Sequence, residues 1–232
     1  MSSRPPKNGK ARGKSPTGLG DMVRIEPLTD NQRLVFDSNK NVCLNGCAGT
    51  GKSFISTYLA LQDIMIENQY SKLIYIRSAV STRNIGFLPG KREEKVEVYE
   101  RPYEDFATEL FGRGDAYSIL KQKGIVEFLD TSFLRGTTIS DSAIIIDECQ
   151  NMTYHELDSI LTRVGKNCRV FLCGDYFQSD LGANGLENLH KVLNAMNSFD
   201  FVEFGTDDIV RSGFVKEYIL SKYKTLGKAI HR

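Results

Sequence analysis

Short apolar runs alternate along the chain with longer segments in which apolar residues recur every three or four positions. Several short runs consist almost entirely of β-branched and aromatic residues, as is typical of strands covered on both faces of a sheet. The predicted strands are residues 41–45, 72–77, 125–129, 143–147, 169–173 and 201–204. The predicted helices are residues 53–68, 154–164, 185–196 and 213–226. This alternation predicts parallel crossovers, and hence an α/β fold with three layers and a mainly parallel sheet.

One long segment, residues 83–123, interrupts the alternation. It contains a Pro89-Gly90 turn and a charged run at 91–95. It also contains three aromatic residues: Tyr99, Tyr103 and Phe106. An insertion of this length is too long for a plain connection, so we expect it to hold a helix of its own and to serve a function.

Composition excludes several classes of protein. Of the 232 residues, 41% are hydrophobic and 25% are charged, which is ordinary for a globular protein and excludes a wholly disordered chain. No apolar run approaches the ~18 residues of a membrane helix, so we expect no membrane partner. The five cysteines are scattered singly and no histidine cluster accompanies them, which favours reduced thiols in a cytoplasmic protein.

Charge is distributed unevenly along the chain. Residues 1–20 hold five basic and no acidic side chains, together with three of the six prolines. Such a segment buries too little apolar surface to order itself, so we predict a disordered arm at 1–27, followed by one folded domain at 28–232. The arm is either a solubilising leader or a nucleic-acid-binding segment. The remaining 25 basic and 29 acidic residues argue against a broad basic face.

The string GCAGTGKS at 46–53 fits the phosphate-loop pattern GxxxxGK[ST], and it lies between a predicted strand and a predicted helix. Its glycines allow backbone N–H groups to surround phosphates, and the start of the helix adds a positive dipole end. In this pattern Lys52 reaches the β and γ phosphates, and the Ser53 hydroxyl binds Mg²⁺. The predicted nucleotide-binding residues here are Gly46, Cys47, Ala48, Gly49, Thr50, Gly51, Lys52 and Ser53.

An apolar strand ends in two carboxylates, Asp147 and Glu148. Beside a phosphate loop, the first acid of such a pair holds Mg²⁺. The second, Glu148, is placed to polarise an attacking water. This pair favours hydrolysis of a nucleoside triphosphate, with a kinase for a small metabolite as an alternative.

A third polar string, GDYFQSD at 174–180, follows the next predicted strand. Carboxyl ends of parallel strands share one crevice, so Gln178 is predicted to sense the γ-phosphate, the alternative being a polar turn. Four arginines are candidates for stabilising transition-state charge, either in cis or from a neighbouring subunit. They are Arg77, Arg135, Arg163 and Arg211, of which Arg163 and Arg211 are assigned to the catalytic set.

Upstream of the first strand lies the string LTDNQ at 28–32. Gln32 is predicted to read the adenine edge through paired hydrogen bonds. The alternative is that this segment only starts a helix, capped by Thr29 or Asp30.

Taken together, several strings resemble the PhoH family of P-loop ATPases, in particular its compact, phage-encoded members. They are GCAGTGKS, IGFLPGKREEKVEVYERP, FLRGTTISDSAIIIDECQNM, LTRVGKNCRVFLCGDYFQSDL and DDIVRSGFV. The resemblance covers about 28–226 and implies a RecA-like ATPase core related to superfamily 1 helicases. It further implies ATP and Mg²⁺ as cofactors, a hexameric ring, and the host cytoplasm if the chain is phage-encoded.

The resemblance also assigns roles by matching position. Phosphate and Mg²⁺ binding falls to residues of the loop: Gly46, Gly49, Gly51, Lys52 and Ser53. Asp147 and Glu148 match the second acidic motif, and Gln178 matches the sensor. Some relatives carry a fused PIN ribonuclease domain; we expect no nuclease activity here.

Two functions from different classes follow. In the first, ATP hydrolysis drives movement on RNA or single-stranded DNA, or remodels it, with Tyr99, Tyr103 and Phe106 as candidate base-stacking residues. In the second, ATP orders an oligomer or a partner surface without translocation. Stimulation of hydrolysis by a polymer distinguishes them.

Overall fold

A six-stranded parallel sheet forms the centre of the protein. The computed structural model describes residues 19–78, 92–131, 136, 138–175 and 186–226. The strands are β1 (Asn41–Gly46), β2 (Lys72–Arg77), β3 (Val126–Asp130), β4 (Ser142–Ile146), β5 (Cys168–Gly174) and β6 (Phe199–Phe204). Their order is β3-β2-β4-β5-β1-β6, and each of these pairings is parallel. The predicted α/β class is confirmed, and each predicted strand is found to within two residues at either end.

Seven α-helices surround the sheet in the described part of the chain. They are α1 (Asp30–Asp37), α2 (Lys52–Met65), α3 (Arg92–Phe111), α4 (Ala116–Gln122), α5 (Tyr154–Leu161), α6 (Leu186–Asn194) and α7 (Gly213–Leu226). The four predicted helices are all present, but α2 and α5 end earlier than predicted. Asn68, beyond the end of α2, has a φ of 53°, which a helix cannot continue through. Val164, beyond the end of α5, instead forms a parallel bridge with Ile139.

The two faces of the sheet bury separate hydrophobic clusters, which makes the domain three-layered. Alternate residues of β4 divide between them, because successive strand side chains point to opposite faces. Ala143 and Ile145 pack with residues of α1 to α4, whereas Ile144 and Ile146 pack with residues of α5 and α6. Strands buried on both faces explain why their sequences are continuous apolar runs.

The predicted insertion contributes two helices, α3 and α4, where a single helix was expected. Both lie on the same face as α2, and their buried residues join its core cluster. The part of the insertion before residue 92 is outside the described residues. The insertion is therefore, in its described part, a packed layer of the domain.

The boundary predicted at residue 27 between arm and domain is too late. Leu19 is buried in the larger core cluster, and Met22 and Ile25 pack against it. The N–H of Val23 donates to the carbonyl of Leu110 at 2.8 Å. These contacts join the segment after residue 18 to α3, and its scattered apolar residues carried no periodic signal that would have predicted this.

Two further findings bear on the composition. All five cysteines are free thiols, three of them buried. Among the residues that the structure describes, no helix has the length and apolar character needed to cross a membrane.

Candidate nucleotide-binding site

The phosphate loop leaves the carboxyl end of β1, between β5 and β6. Gly46 has a φ of 125°, and a Cβ there would lie 2.0 Å from the carbonyl oxygen of Phe204 in β6. The N–H of Cys47 donates to that same oxygen at 3.0 Å. Only glycine fits so close to a neighbouring backbone, and it permits the turn that starts the loop. Gly49 and Gly51 also have positive φ values, of 80° and 83°.

Lys52 stands at the start of α2 and turns back over the loop. Its ammonium donates to the carbonyl oxygens of Gly46 at 2.8 Å and Cys47 at 2.7 Å. The helix start and the cation thus point into the same loop, as an anion site requires. Burial, more than any other effect, raises the pKa of the Cys47 thiol above its ordinary value. The cysteine is therefore a neutral side chain at this position.

Ser53 and Asp147 come together although 94 positions separate them. The Ser53 hydroxyl donates to Asp147 Oδ1 at 2.7 Å, and the N–H of Glu148 donates to the same oxygen at 3.0 Å. The Asp147 side chain is buried. Hydroxyl and carboxylate oxygens are the ligand types that Mg²⁺ accepts, together with nucleotide phosphates and water. The residues present therefore fit the predicted ion.

Glu148 is held at the end of β4 in an unusual conformation. Its φ of 53° lies in the left-handed region, and its carboxylate accepts from the Gln150 amide at 2.5 Å. Gln150 in turn accepts from the N–H of Asp175 at 3.1 Å. A Cβ on Gly174 would lie 2.4 Å from the Cys149 sulfur, so glycine permits this close approach. Gln150 therefore connects the acidic pair after β4 with the polar string after β5.

Tyr103 of α3 is a site residue that the sequence interpretation placed elsewhere. Its hydroxyl donates to Asp147 Oδ2 at 2.9 Å, and the residue is 0% exposed. Burial, and then the Asp147 carboxylate, raises the pKa of Tyr103 well above its usual value, so the hydroxyl is neutral and can donate. A ring with no exposed surface cannot stack on nucleic-acid bases, so the predicted base-stacking role of Tyr103 is wrong. No periodicity or spacing links it to Asp147.

Arg77 ends β2 beside the acidic pair. The N–H of Asp147 donates to the carbonyl of Ile76 at 2.9 Å, which fixes the two strand ends together. Burial acts to lower the pKa of Arg77, but Tyr103, Asp147 and Glu148 outweigh it and raise that pKa. Arg77 thus keeps its positive charge despite burial, and it lies beside the acidic pair.

Gln32 lies beneath the phosphate loop. Its Nε2 donates to the carbonyl of Thr50 at 2.9 Å, its Oε1 accepts from the N–H of Leu28 at 2.8 Å, and the residue is 3% exposed. Thr29 accepts from the N–H of Gln32 and caps α1, as the alternative interpretation expects. The glutamine therefore supports the loop, and its adenine contact stays a prediction.

Arg211 lies against the loop of its own chain. A Cβ on Gly49 would be 2.9 Å from Arg211 Cγ, and the N–H of Val210 donates to the Gly49 carbonyl at 3.1 Å. Arg211 is exposed, so its guanidinium is accessible beside the loop. The structure thus brings this candidate to the site.

Arg163 is not brought to the site of its own chain. It follows α5, which starts beyond the carboxyl end of β4 and runs back toward the amino ends of the strands. There its carbonyl accepts from the N–H of Ile139, just before β4, and its guanidinium donates to the Ser159 hydroxyl at 2.9 Å. A catalytic Arg163 in cis is therefore incorrect, and only an action on a neighbouring subunit stays a prediction. Gln178 and Arg135 lie outside the described residues.

Sequence comparison places this site within a known family. The family model described as "PhoH-like protein" matches residues 24–224. The chain belongs to the PhoH family. A PhoH-like protein of Synechocystis is 31% identical over 209 residues, which are 88% of this chain and 63% of that protein. A PhoH-like protein of Bacillus subtilis is 33% identical over 205 residues, covering 86% and 64%.

The Escherichia coli protein PhoH is 32% identical over 182 residues, which are 76% of this chain and 51% of that protein. The chain thus spans less than two thirds of the length of these relatives.

Solved structures share the fold. The large terminase of a thermophilic bacteriophage superposes with a TM-score of 0.53 at 13% identity, over 88% of this PhoH-family chain and 52% of the terminase. The same terminase in complex with ADP gives a TM-score of 0.51. These likenesses confirm the RecA-like P-loop fold that the resemblance implied.

Proposed function

We propose that this chain is a Mg²⁺-dependent ATPase that couples hydrolysis to movement on RNA or single-stranded DNA, or to its remodelling. One observation supports the ATPase above all others. The Ser53 hydroxyl from the phosphate loop and the Asp147 carboxylate from β4 are hydrogen-bonded at 2.7 Å, with Glu148 next along the chain. This contact supports the interpretation of Ser53 and Asp147 as a metal-ligand pair, and of Glu148 as the candidate base beside the phosphate loop.

Different residues of the chain bind the phosphates, hold the metal ion and accept the proton during hydrolysis. Backbone N–H groups of the loop and the start of α2 bind the phosphates, and Lys52 exchanges its two carbonyl partners for phosphate oxygens. Ser53 and Asp147 would hold Mg²⁺, which supplies charge neutralisation at the β and γ phosphates. Glu148 accepts a proton from the attacking water, and the Gln150 amide orients its carboxylate.

Adenine nucleotide is the substrate that the comparisons favour. The terminase with the same fold has been determined in complex with ADP. In this chain, the exposed Arg211 provides a guanidinium beside the loop. Gln32 is proposed to contact adenine by exchanging its present partners, Thr50 and Leu28, for the base. Gln178 is proposed to contact the γ-phosphate, because Asp175 at the end of β5 is joined through Gln150 to the Glu148 carboxylate.

The polymer part of the proposal is supported by the surface of α7. Phe214 and Tyr218, one turn apart, are 79% and 62% exposed. The helix carries three lysines and one glutamate, which suits a polyanion. Exposed aromatic rings beside cations are how single strands are bound without sequence preference. The basic arm at 1–20 would add cations to the same partner.

Assembly into a hexameric ring is the oligomer that the family resemblance implies. A ring would allow Arg163, on the opposite edge of the sheet from its own phosphate loop, to meet the nucleotide of a neighbouring copy. An arginine supplied in trans raises hydrolysis by about 10³–10⁵-fold in related enzymes.

The test is steady-state ATP hydrolysis with and without single-stranded RNA and DNA, each at two salt concentrations. We expect stimulation that fades as salt rises, because phosphate contacts release counterions. Hydrolysis that neither polymer changes would overturn the polymer part and favour the nucleotide-gated switch. Consumption of ATP only when a small acceptor is added would instead indicate a kinase.

A further inference from the structure

The Asp147 carboxylate is held on both oxygens, and one of the donors comes from α3. On Oδ1 it accepts from the Ser53 hydroxyl and from the N–H of Glu148. On Oδ2 it accepts from the Tyr103 hydroxyl at 2.9 Å. The first two donors belong to the phosphate loop and to the acidic motif itself. Tyr103 belongs to the insertion, 44 positions earlier in the chain.

The Tyr103 ring has little freedom to move. It stacks on Tyr75 of β2, with ring centroids 3.9 Å apart and an interplanar angle of 20°. The Tyr75 hydroxyl donates to Thr57 at 3.0 Å, and Thr57 donates to the carbonyl of Ser53 at 2.8 Å. These contacts form a closed circuit. From Ser53, the proposed metal ligand, it passes through Asp147, Tyr103, Tyr75 and Thr57 and returns to Ser53. A hydroxyl fixed in this way defines the orientation of the carboxylate that it contacts.

A second residue of α3 contacts the same region. Tyr99, one turn before Tyr103, faces the Arg77 guanidinium, whose carbon is 5.7 Å from the ring centroid. Tyr103 also packs edge-on against Phe106, which in turn meets Phe54 on α2. One side of α3 is thus built onto the metal carboxylate and onto the helix that follows the phosphate loop.

We propose that Tyr103 is a positioning residue that orients Asp147 for Mg²⁺ and thereby couples Mg²⁺–nucleotide binding to helix α3. The inference rests on the proposed function, because it takes Asp147 as the metal ligand. Hydrogen-bond partners of metal-binding carboxylates contribute about 10–100-fold to metal affinity or activity. A shift of the Asp147 carboxylate on binding the ion would move its hydrogen-bond partner Tyr103, and with it helix α3.

The experiment compares the affinity of a non-hydrolysable ATP analogue, AMP-PNP, with Mg²⁺ and with EDTA, by isothermal titration calorimetry. The dissociation constant in EDTA divided by that with Mg²⁺ measures how much the ion strengthens nucleotide binding. In Tyr103→Phe the ring and its stacking remain and only the hydroxyl is removed. We expect that ratio to fall about 10-fold, with affinity in EDTA unchanged.

Tyr117→Phe is the matched control. Tyr117 is a buried tyrosine of α4, and its hydroxyl makes no hydrogen bond to Asp147, so its variant should keep the wild-type ratio. An unchanged ratio in Tyr103→Phe, or an equal loss of affinity with Mg²⁺ and EDTA, would overturn the inference alone. A wild-type protein whose nucleotide affinity ignores Mg²⁺ would overturn the inference and the proposed metal site together.

A second measurement decides the matter should Tyr103→Phe fail to fold. Hydrogen exchange of the wild-type amides at 99–106 is followed with AMP-PNP bound, before and after Mg²⁺ is added. Slower exchange on adding the ion supports the coupling. Exchange that does not change across α3, while amides of the phosphate loop respond, contradicts it.

Discussion

Glu148 combines a strained backbone with a restrained side chain. A non-glycine residue in the left-handed region costs about 1–3 kcal/mol, and such strain persists only where the surroundings hold it. Here the φ is 53°, and the Gln150 amide binds the carboxylate at 2.5 Å. A carboxylate fixed at the end of a strand beside a phosphate loop is suited to accept a proton from water.

Replacement of Glu148 by glutamine should separate binding from turnover. We expect Glu148→Gln to lower single-turnover phosphate release by about 10²–10⁴-fold, because only the proton acceptor is lost. Equilibrium binding of a fluorescent ATP analogue should stay close to wild type, since Lys52 and Ser53 are intact. Glu187→Gln, at an exposed position of α6, serves as the control. Normal turnover in the Glu148 variant would remove this residue from its role.

The backbone at Gly46 gives a prediction about stability. A Cβ there would lie 2.0 Å from the Phe204 carbonyl oxygen, so β1 and β6 would have to separate. We expect Gly46→Ala to lower the free energy of unfolding by about 1–3 kcal/mol, which is about 2–4 °C in Tm per kcal/mol for a domain of this size. Gly114→Ala meets no atom within 4 Å and should leave Tm close to wild type. Equal melting of the two variants in a thermal scan would contradict the account.

At the scale of elements, the strands were predictable because strands buried on both faces consist of continuous apolar runs. The loop and acidic residues were predictable because each directly follows such a run. Tyr103 was not predictable, since its contact with Asp147 depends on how α3 packs on β2. Arg163 was misplaced for the same reason, because the sequence does not show that α5 ends at the opposite sheet edge.

The exposed face of α7 supports a prediction about polymer binding. Phe214 and Tyr218 project from a helix that carries three lysines, so they are suited to stack against bases. The double variant Phe214→Ala, Tyr218→Ala should reduce the stimulation of hydrolysis by single strands, measured as the ratio of rates with and without polymer. Val192→Ala with Met196→Ala removes exposed apolar side chains elsewhere and should keep that ratio. Retained stimulation in the α7 variant would show that the polymer binds another surface.

For the whole molecule, the order of the sheet explains how distant motifs meet. Strands β4, β5 and β1 are adjacent, so their carboxyl ends bring Asp147, Asp175 and the phosphate loop to one edge. The alternation of elements predicted a parallel sheet and a shared edge, but not which strands are neighbours. That order depends on long-range packing of two core clusters, which no local pattern encodes.

This chain spans less than two thirds of its relatives' length. We propose that it hydrolyses ATP by itself, at the site formed by Lys52, Ser53 and Asp147. The most direct test is phosphate release from ATP by the purified chain, with Mg²⁺ and with EDTA, for wild type and Lys52→Ala. We expect release that requires Mg²⁺ and falls at least about 100-fold in the variant, because the β and γ phosphates lose their cation. Equal release by both proteins, or none by wild type with Mg²⁺, would contradict the account.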